Sequence, residues 1–210
     1  MIVDKFMKMK RLLFIALTLV SCVCASAVPS AAKILETMRS QMLATPAVEA
    51  LFTINGGDGG VQGSMTVAGA SFAMSTPQLK VWYDGKTQWT YLASSGEVSI
   101  TEPTKEELTA SNPFAILSSY ATYYKARRLN DNNGRRCVEL TPVSKGSGID
   151  SIVVIADQSG KWPQAINIKF DDGRSISLVV DSIKGISKPA ESIFRYDAKL
   201  QPATEIIDLR

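Results

Sequence analysis

The chain has 210 residues, 45% of them hydrophobic, with three cysteines, no histidine and a formal net charge of +3. The missing histidine removes Ser-His-Asp and Cys-His catalysis and His-based zinc sites together. The small positive charge is no argument for a nucleic-acid partner, because it belongs to one terminal segment.

That segment is residues 1–27. Lys8, Lys10 and Arg11 form a basic start, Leu12 to Val20 an apolar run, and Ala25-Ser26-Ala27 a small-x-small cleavage site. The apolar run is too short to span a bilayer. Export with removal of 1–27 is therefore expected, leaving 28–210 as one domain. Removal takes four of the 23 basic and one of the 20 acidic residues, leaving 19 of each. Leu19-Val20-Ser21-Cys22 also fits the pattern at which bacterial lipoproteins are cut and lipidated, here on Cys22. A soluble product and an anchored one thus both stay open. In the soluble form only Cys137 remains, so no internal disulfide can form and the domain rests on its core. About 180 residues suffice for one such core.

Val28 to Leu43 reads as an amphipathic helix. Ser30 can cap it, Ile34, Leu35, Met38 and Met42 recur at helical spacing, and Thr45-Pro46 stops it. The period then becomes two. Val48, Ala50, Phe52 and Ile54 share a face, and Val61, Met65 and Val67 alternate with polar residues. Phe72 and Met74 follow, then Leu79, Val81 and Tyr83, which lead to a turn at Asp84-Gly85. Trp89, Tyr91, Val98 and Ile100 continue an antiparallel meander expected to have one apolar face.

Residues 103–124 interrupt it with helix signals. Thr104-x-x-Glu107 is a capping box, and Asn112-Pro113 is a second N-terminal start. Phe114, Leu117, Tyr120 and Tyr124 fall close to one helical face, flanked by Ile116 and Tyr123. Strands then resume at 124–129, 136–141, 149–156, 164–170 and 175–180, with a short one at 193–196 and a last one at 204–209. About ten or eleven strands with tight turns predict an α+β domain built on a strongly curved sheet or open barrel. The helical segments are available to cover its mouth.

Candidate chemistry is sparse. Glu106-Glu107 are adjacent on a helix and point about 100° apart, which suits capping better than acid–base work. Asp171-Asp172 before Gly173 is turn chemistry, short of the oxygen ligands a calcium loop needs. Ser118-Ser119 has no base nearby. Cys137, on an alternating strand, reads as a small buried hydrophobe. The expectation is no catalytic residue, no metal and no cofactor. What remains is an excess of soft, bulky side chains, which either fill a core or line an adaptable apolar cavity.

The run Tyr83-Asp84-Gly85-Lys86-Thr87-Gln88-Trp89-Thr90-Tyr91 resembles the hairpin of periplasmic lipoprotein carriers of the LolA-like family. Asn112-Pro113-Phe114, Leu140-Thr141-Pro142, Ile152–Ile155 with Gly160 and Ile166, and Phe194 before an Ile-rich tail resemble further family motifs in the same order. The resemblance implies an unclosed antiparallel barrel with a helical lid and an N-terminal helix, holding lipoprotein acyl chains. It assigns lipid contact to Phe52, Met65, Phe72, Met74, Trp89, Tyr91, Phe114, Leu117 and Tyr120. It implies a monomeric periplasmic carrier that loads from an inner-membrane lipoprotein-release complex and unloads to an outer-membrane acceptor. An acceptor anchored through Cys22, or an envelope lipid sensor on the same fold, are the alternatives. One departure stands out. Where the family carries an Arg that holds the lid shut, Val67–Lys80 has none, and Lys80 is the nearest cation.

Overall fold

The computed structural model describes residues 28–56, 59–104, 107–108, 112–144 and 146–210. The export segment with Cys22, and Glu106 of the carboxylate pair, lie outside the described residues. Helix α1 spans Ala31–Ala44; the Ser30 hydroxyl accepts the Lys33 N–H at 3.2 Å and caps it. Thr45 leaves helical geometry before Pro46, as the proline requires. Ile34, Leu35 and Met38 are buried and face the sheet.

Six strands follow in sequence: β1 (Ala47–Asn55), β2 (Gly60–Ala68), β3 (Ser71–Ser75), β4 (Leu79–Tyr83), β5 (Gln88–Leu92) and β6 (Glu97–Thr101). A 3₁₀ turn (Pro113–Ala115) runs into α2 (Ile116–Tyr123). Then come β7 (Tyr124–Arg128), β8 (Cys137–Pro142), β9 (Ile149–Ala156), β10 (Pro163–Phe170) and β11 (Ser175–Ile186). A C-terminal arm carries a 3₁₀ turn (Glu191–Phe194) and β12 (Glu205–Asp208).

The strands form one sheet in the order β12-β6-β5-β4-β3-β2-β1-β11-β10-β9-β8-β7. Two meanders are zipped together by β1 and β11. The edges, β12 and β7, do not pair, so the curved sheet stays unclosed. Twelve strands replace the ten or eleven expected, and β12 lies parallel to β6 in an otherwise antiparallel sheet. Ile193–Tyr196, read as a short strand, forms none: Ile193 and Phe194 end the 3₁₀ turn, and Arg195 and Tyr196 follow it.

Strand β11 runs six residues past the expected end at Val180, and a bulge explains the misreading. The β1–β11 register jumps between Leu51 and Phe52, leaving Asp181 unpaired on β11. Before the bulge Leu178 and Val180 face inward; after it Ile183 does, so the parity flips. Asp181 accepts a hydrogen bond from the Thr53 hydroxyl at 2.8 Å, which occupies the looped-out side chain.

The inner face, covered by the helices, carries the main core. Phe52, Met65, Phe72, Met74, Val81 and Tyr83 come from the first meander, and Val138, Leu140, Ile152, Val154, Ile166 and Leu178 from the second. Gly63 makes room for Phe52: a Cβ there would sit 2.5 Å from the ring and 2.9 Å from the Ser75 carbonyl oxygen. Because one of those neighbours is backbone, relaxation is limited. Gly63→Ala is expected to lower stability by about 1–3 kcal/mol through overpacking. An unchanged urea midpoint would refute that close approach.

The expectation of a single apolar face is corrected in strands β4 to β6. There the register puts Trp82, Trp89, Tyr91, Val98 and Ile100 on the outer face. The C-terminal arm covers this face. The Tyr196 ring meets Trp82 edge-on at 5.7 Å, Arg195 pairs with Asp84 at 3.1 Å, and Lys80 donates to Gln201. Phe194 plugs a small second core made by Ala47, Ala68, Ala73 and Ile186.

Candidate functional site

The helical segment is built as its local signals require. The Thr104 N–H and hydroxyl both donate to Glu107 Oε2, at 2.7 and 2.9 Å, and the Glu107 N–H returns a bond to Thr104 Oγ1 at 3.3 Å. Those bonds, led by the Thr104 amide, hold the Glu107 carboxyl below the usual carboxylate range. Asn112 Oδ1 accepts the Phe114 N–H at 2.9 Å and starts the second turn. Phe114, Ile116 and Leu117 are buried, and Leu108, Tyr120 and Tyr124 pack beside them. Ile116, expected only to flank the apolar face, is buried as deeply as Leu117. A 3₁₀ turn advances 120° per residue instead of 100°, which rotates the start of α2 toward the sheet.

Between this segment, the C-terminal half of α1 and the rim of the first meander lies a cleft of about 660 Å³. Its apolar wall includes Met42, Val48, Val67, Leu108, Phe114 and Leu117. Gly69 and Gly85, at the tips of the β2–β3 and β4–β5 turns, leave the rim low. Tyr83 closes the floor, its ring 5.6 Å from Phe72. Burial first, and then the adjacent Asp84 carboxylate, push the Tyr83 phenol above its ordinary range, so it stays neutral. Arg39, Asn112, Ser118, Ser119 and Thr122 give the wall its polar part. A second hollow of about 370 Å³ lies among Asn55, Ser151, Asn167 and Ser177. It is lined also by Val153, Ile168 and Ile176 and lies away from the helices, and the Ser177 hydroxyl donates to Asn167 at 2.7 Å.

Seven of the nine residues singled out in the sequence meet in one cluster: Phe52, Met65, Phe72 and Met74 on the sheet, with Phe114, Leu117 and Tyr120 over them. Only Phe114 and Leu117 border the cleft; the others are packed beneath it. Trp89 and Tyr91 are not brought to this face. Trp89 pairs with Trp82 and Tyr91 with Lys80, so both point to the side under the C-terminal arm. Lys80 is there too, bonded to Gln201, and does not reach the helical segment in place of the absent Arg.

Sequence reading passed over Arg39, Val67 and Tyr83 as cleft residues. Val67 and Tyr83 both pair with Phe72, so strand register was the signal that would have found them. Arg39 gave no such signal, since a charged residue on a helix face reads as solvated. The arrangement suits burial of an apolar chain, worth roughly 0.8 kcal/mol per methylene removed from water.

The family described as outer membrane lipoprotein carrier protein LolA matches residues 21–173. No curated protein matches the chain. Among solved structures, an uncharacterized conserved protein from Thermus thermophilus aligns with a TM-score of 0.56 at 11% identity, over 83% of this chain and 96% of the other. A DUF1329 family protein from Desulfovibrio piger aligns with a TM-score of 0.50 at 10% identity, over 80% and 97%. A LolA superfamily protein from Nitrosomonas europaea gives 0.42 at 12% identity, over 81% and 99%. At these identities the first two show a likeness of fold alone.

Proposed function

Since the chain belongs to the outer membrane lipoprotein carrier protein LolA family, we propose that it is a periplasmic lipid-cargo carrier. It takes lipoprotein acyl chains into the space between its helical segment and the inner face of its sheet. The observation that carries this reading is the cleft of about 660 Å³ beside Phe114 and Leu117. The part of its wall made by Met42, Val48, Val67, Leu108, Phe114 and Leu117 is the apolar surface that an acyl chain requires. Cargo would arrive from an inner-membrane lipoprotein-release complex and leave to an outer-membrane acceptor.

The energetics explain the need for a cover. Three acyl chains carry about 40 methylenes, so exposing them costs on the order of 30 kcal/mol. The core beneath the cleft is filled, so larger cargo requires the helical segment to move outward. That segment is held by one 3₁₀ turn, two helical turns and a few side chains, a small unit to displace.

The test is direct. Purified protein is expected to raise the fluorescence of an acyl probe in saturable fashion and to co-purify with triacylated lipoprotein from the envelope. Absence of both would refute a lipid-binding role. The motif ending in Cys22 favours a second reading, an anchored acceptor at the outer membrane. The mass of the mature N-terminus separates the two: a chain starting at Val28 is soluble, and a lipidated Cys22 is anchored.

A further inference from the structure

Arg39 is the only charged residue among the described residues that line the cleft, and its guanidinium is only partly used. Its Nη1 donates to Glu36, at 3.2 and 3.5 Å to the two carboxylate oxygens. Its Nε and Nη2 donate to no described protein group. Facing it across the α1–α2 contact, α2 contributes Ser118 and Thr122 to the wall. They lie four residues apart and so share one side of the helix, and both are exposed. The wall therefore changes character from apolar to polar, with one fixed cation on the polar part.

Volume limits what enters this cleft as it stands. Taking liquid water's share of ~30 Å³ per molecule as the yardstick, the cleft admits on the order of 20 such groups. That is one chain with its headgroup, well short of three chains. A guanidinium keeps its charge at every physiological pH and matches carboxylate or phosphate oxygens in a forked geometry.

We propose that the cleft binds a single-chain amphiphile with an anionic headgroup, a carboxylate or a phosphate. Arg39 pairs with the head, and the chain runs along Met42, Val67 and Phe114. Glu36 competes with the ligand for the same guanidinium. The proposal rests on the reading of the cleft as an acyl site and narrows it to a class of ligand.

The experiment displaces 11-(dansylamino)undecanoic acid from the purified protein with dodecanoate, dodecyl phosphate or dodecanol, which share one chain and differ in the head. The two anions are expected to displace the probe at roughly tenfold lower concentration than the alcohol, as a charge-assisted pair predicts. Arg39→Gln should bring that ratio close to one. Glu36→Gln should raise it, an effect that a merely structural helix pair would not produce. Whichever anion acts at the lower concentration identifies the source, fatty acid or phospholipid fragment. Equal potency of alcohol and anions, or a ratio unchanged in Arg39→Gln, overturns the proposal while leaving lipid carriage intact. Failure of the probe to bind, with triacylated lipoprotein still co-purifying, also overturns this proposal alone. Failure of both overturns the two readings together.

Discussion

Leu117→Glu is expected to impair uptake of a fluorescent acyl probe while the sheet remains folded. Leu117 is 1% exposed, sits in the main core and also borders the cleft. A carboxylate there must ionise in an apolar site or stay protonated without a partner, and either costs several kcal/mol. In a core residue of the sheet that cost would fall on global stability. Here the host segment is short and lies between Asn112 and β7. It can swing out and take the carboxylate to water, so most of the cost becomes local opening. The cleft loses one wall, and probe affinity should fall at least about tenfold, given the methylenes left wet. Far-UV circular dichroism should keep its β-sheet spectrum with a lowered melting temperature. Phe114→Glu, 3% exposed and bordering the same cleft, should behave alike. Unchanged probe affinity in a folded Leu117→Glu protein would show that the segment does not cover the binding site.

Phe194→Ala should do the opposite, weakening the fold and sparing the probe. Phe194 is 2% exposed in a pocket made of Ala47, Ala68, Ala73 and Ile186. Three of those four partners are alanines, whose side chains cannot extend into a vacated ring. Truncation should therefore leave a void and cost about 3–5 kcal/mol. The loss also loosens the arm that covers Trp82, Tyr91 and Val98, so proteolysis within 187–210 should accelerate. Because this core lies on the face opposite the cleft, probe binding to the remaining folded protein should persist. An unchanged melting temperature would mean that the arm contributes no packing energy. Together the two substitutions divide the molecule into a binding face and a stabilising face.

Much of the fold was legible because its signals are local. Ser30, Thr45-Pro46, the Thr104–Glu107 box and Asn112-Pro113 act within one helical turn, and each does in the structure what its chemistry predicts. Alternation placed Phe52, Met65, Phe72 and Met74 on one face because each strand keeps its own period. The outer-face error at Trp89 and Tyr91 has an equally definite cause. Alternation shows which residues of a strand share a side, whereas the hairpin sets which side that is. Tyr83 pairs with Gln88, so Trp89 falls opposite Trp82 and away from the cleft.

The helix caps, the side-chain alternation within β1 to β5, the buried Cys137 and, through the ordered motifs, the family were legible in the chain alone. These depend on neighbours a few residues away or on pattern along the chain. Three further matters were settled by the way the chain folds back on itself. That folding looped out Asp181 and so turned both halves of β11 inward. It returned the chain's end to lie parallel to β6, leaving β12 and β7 as separate edges. It also carried Arg39 from an ordinary helix face to the wall of the cleft. Each of these is set by pairing or packing between segments far apart in the chain, where no local preference acts.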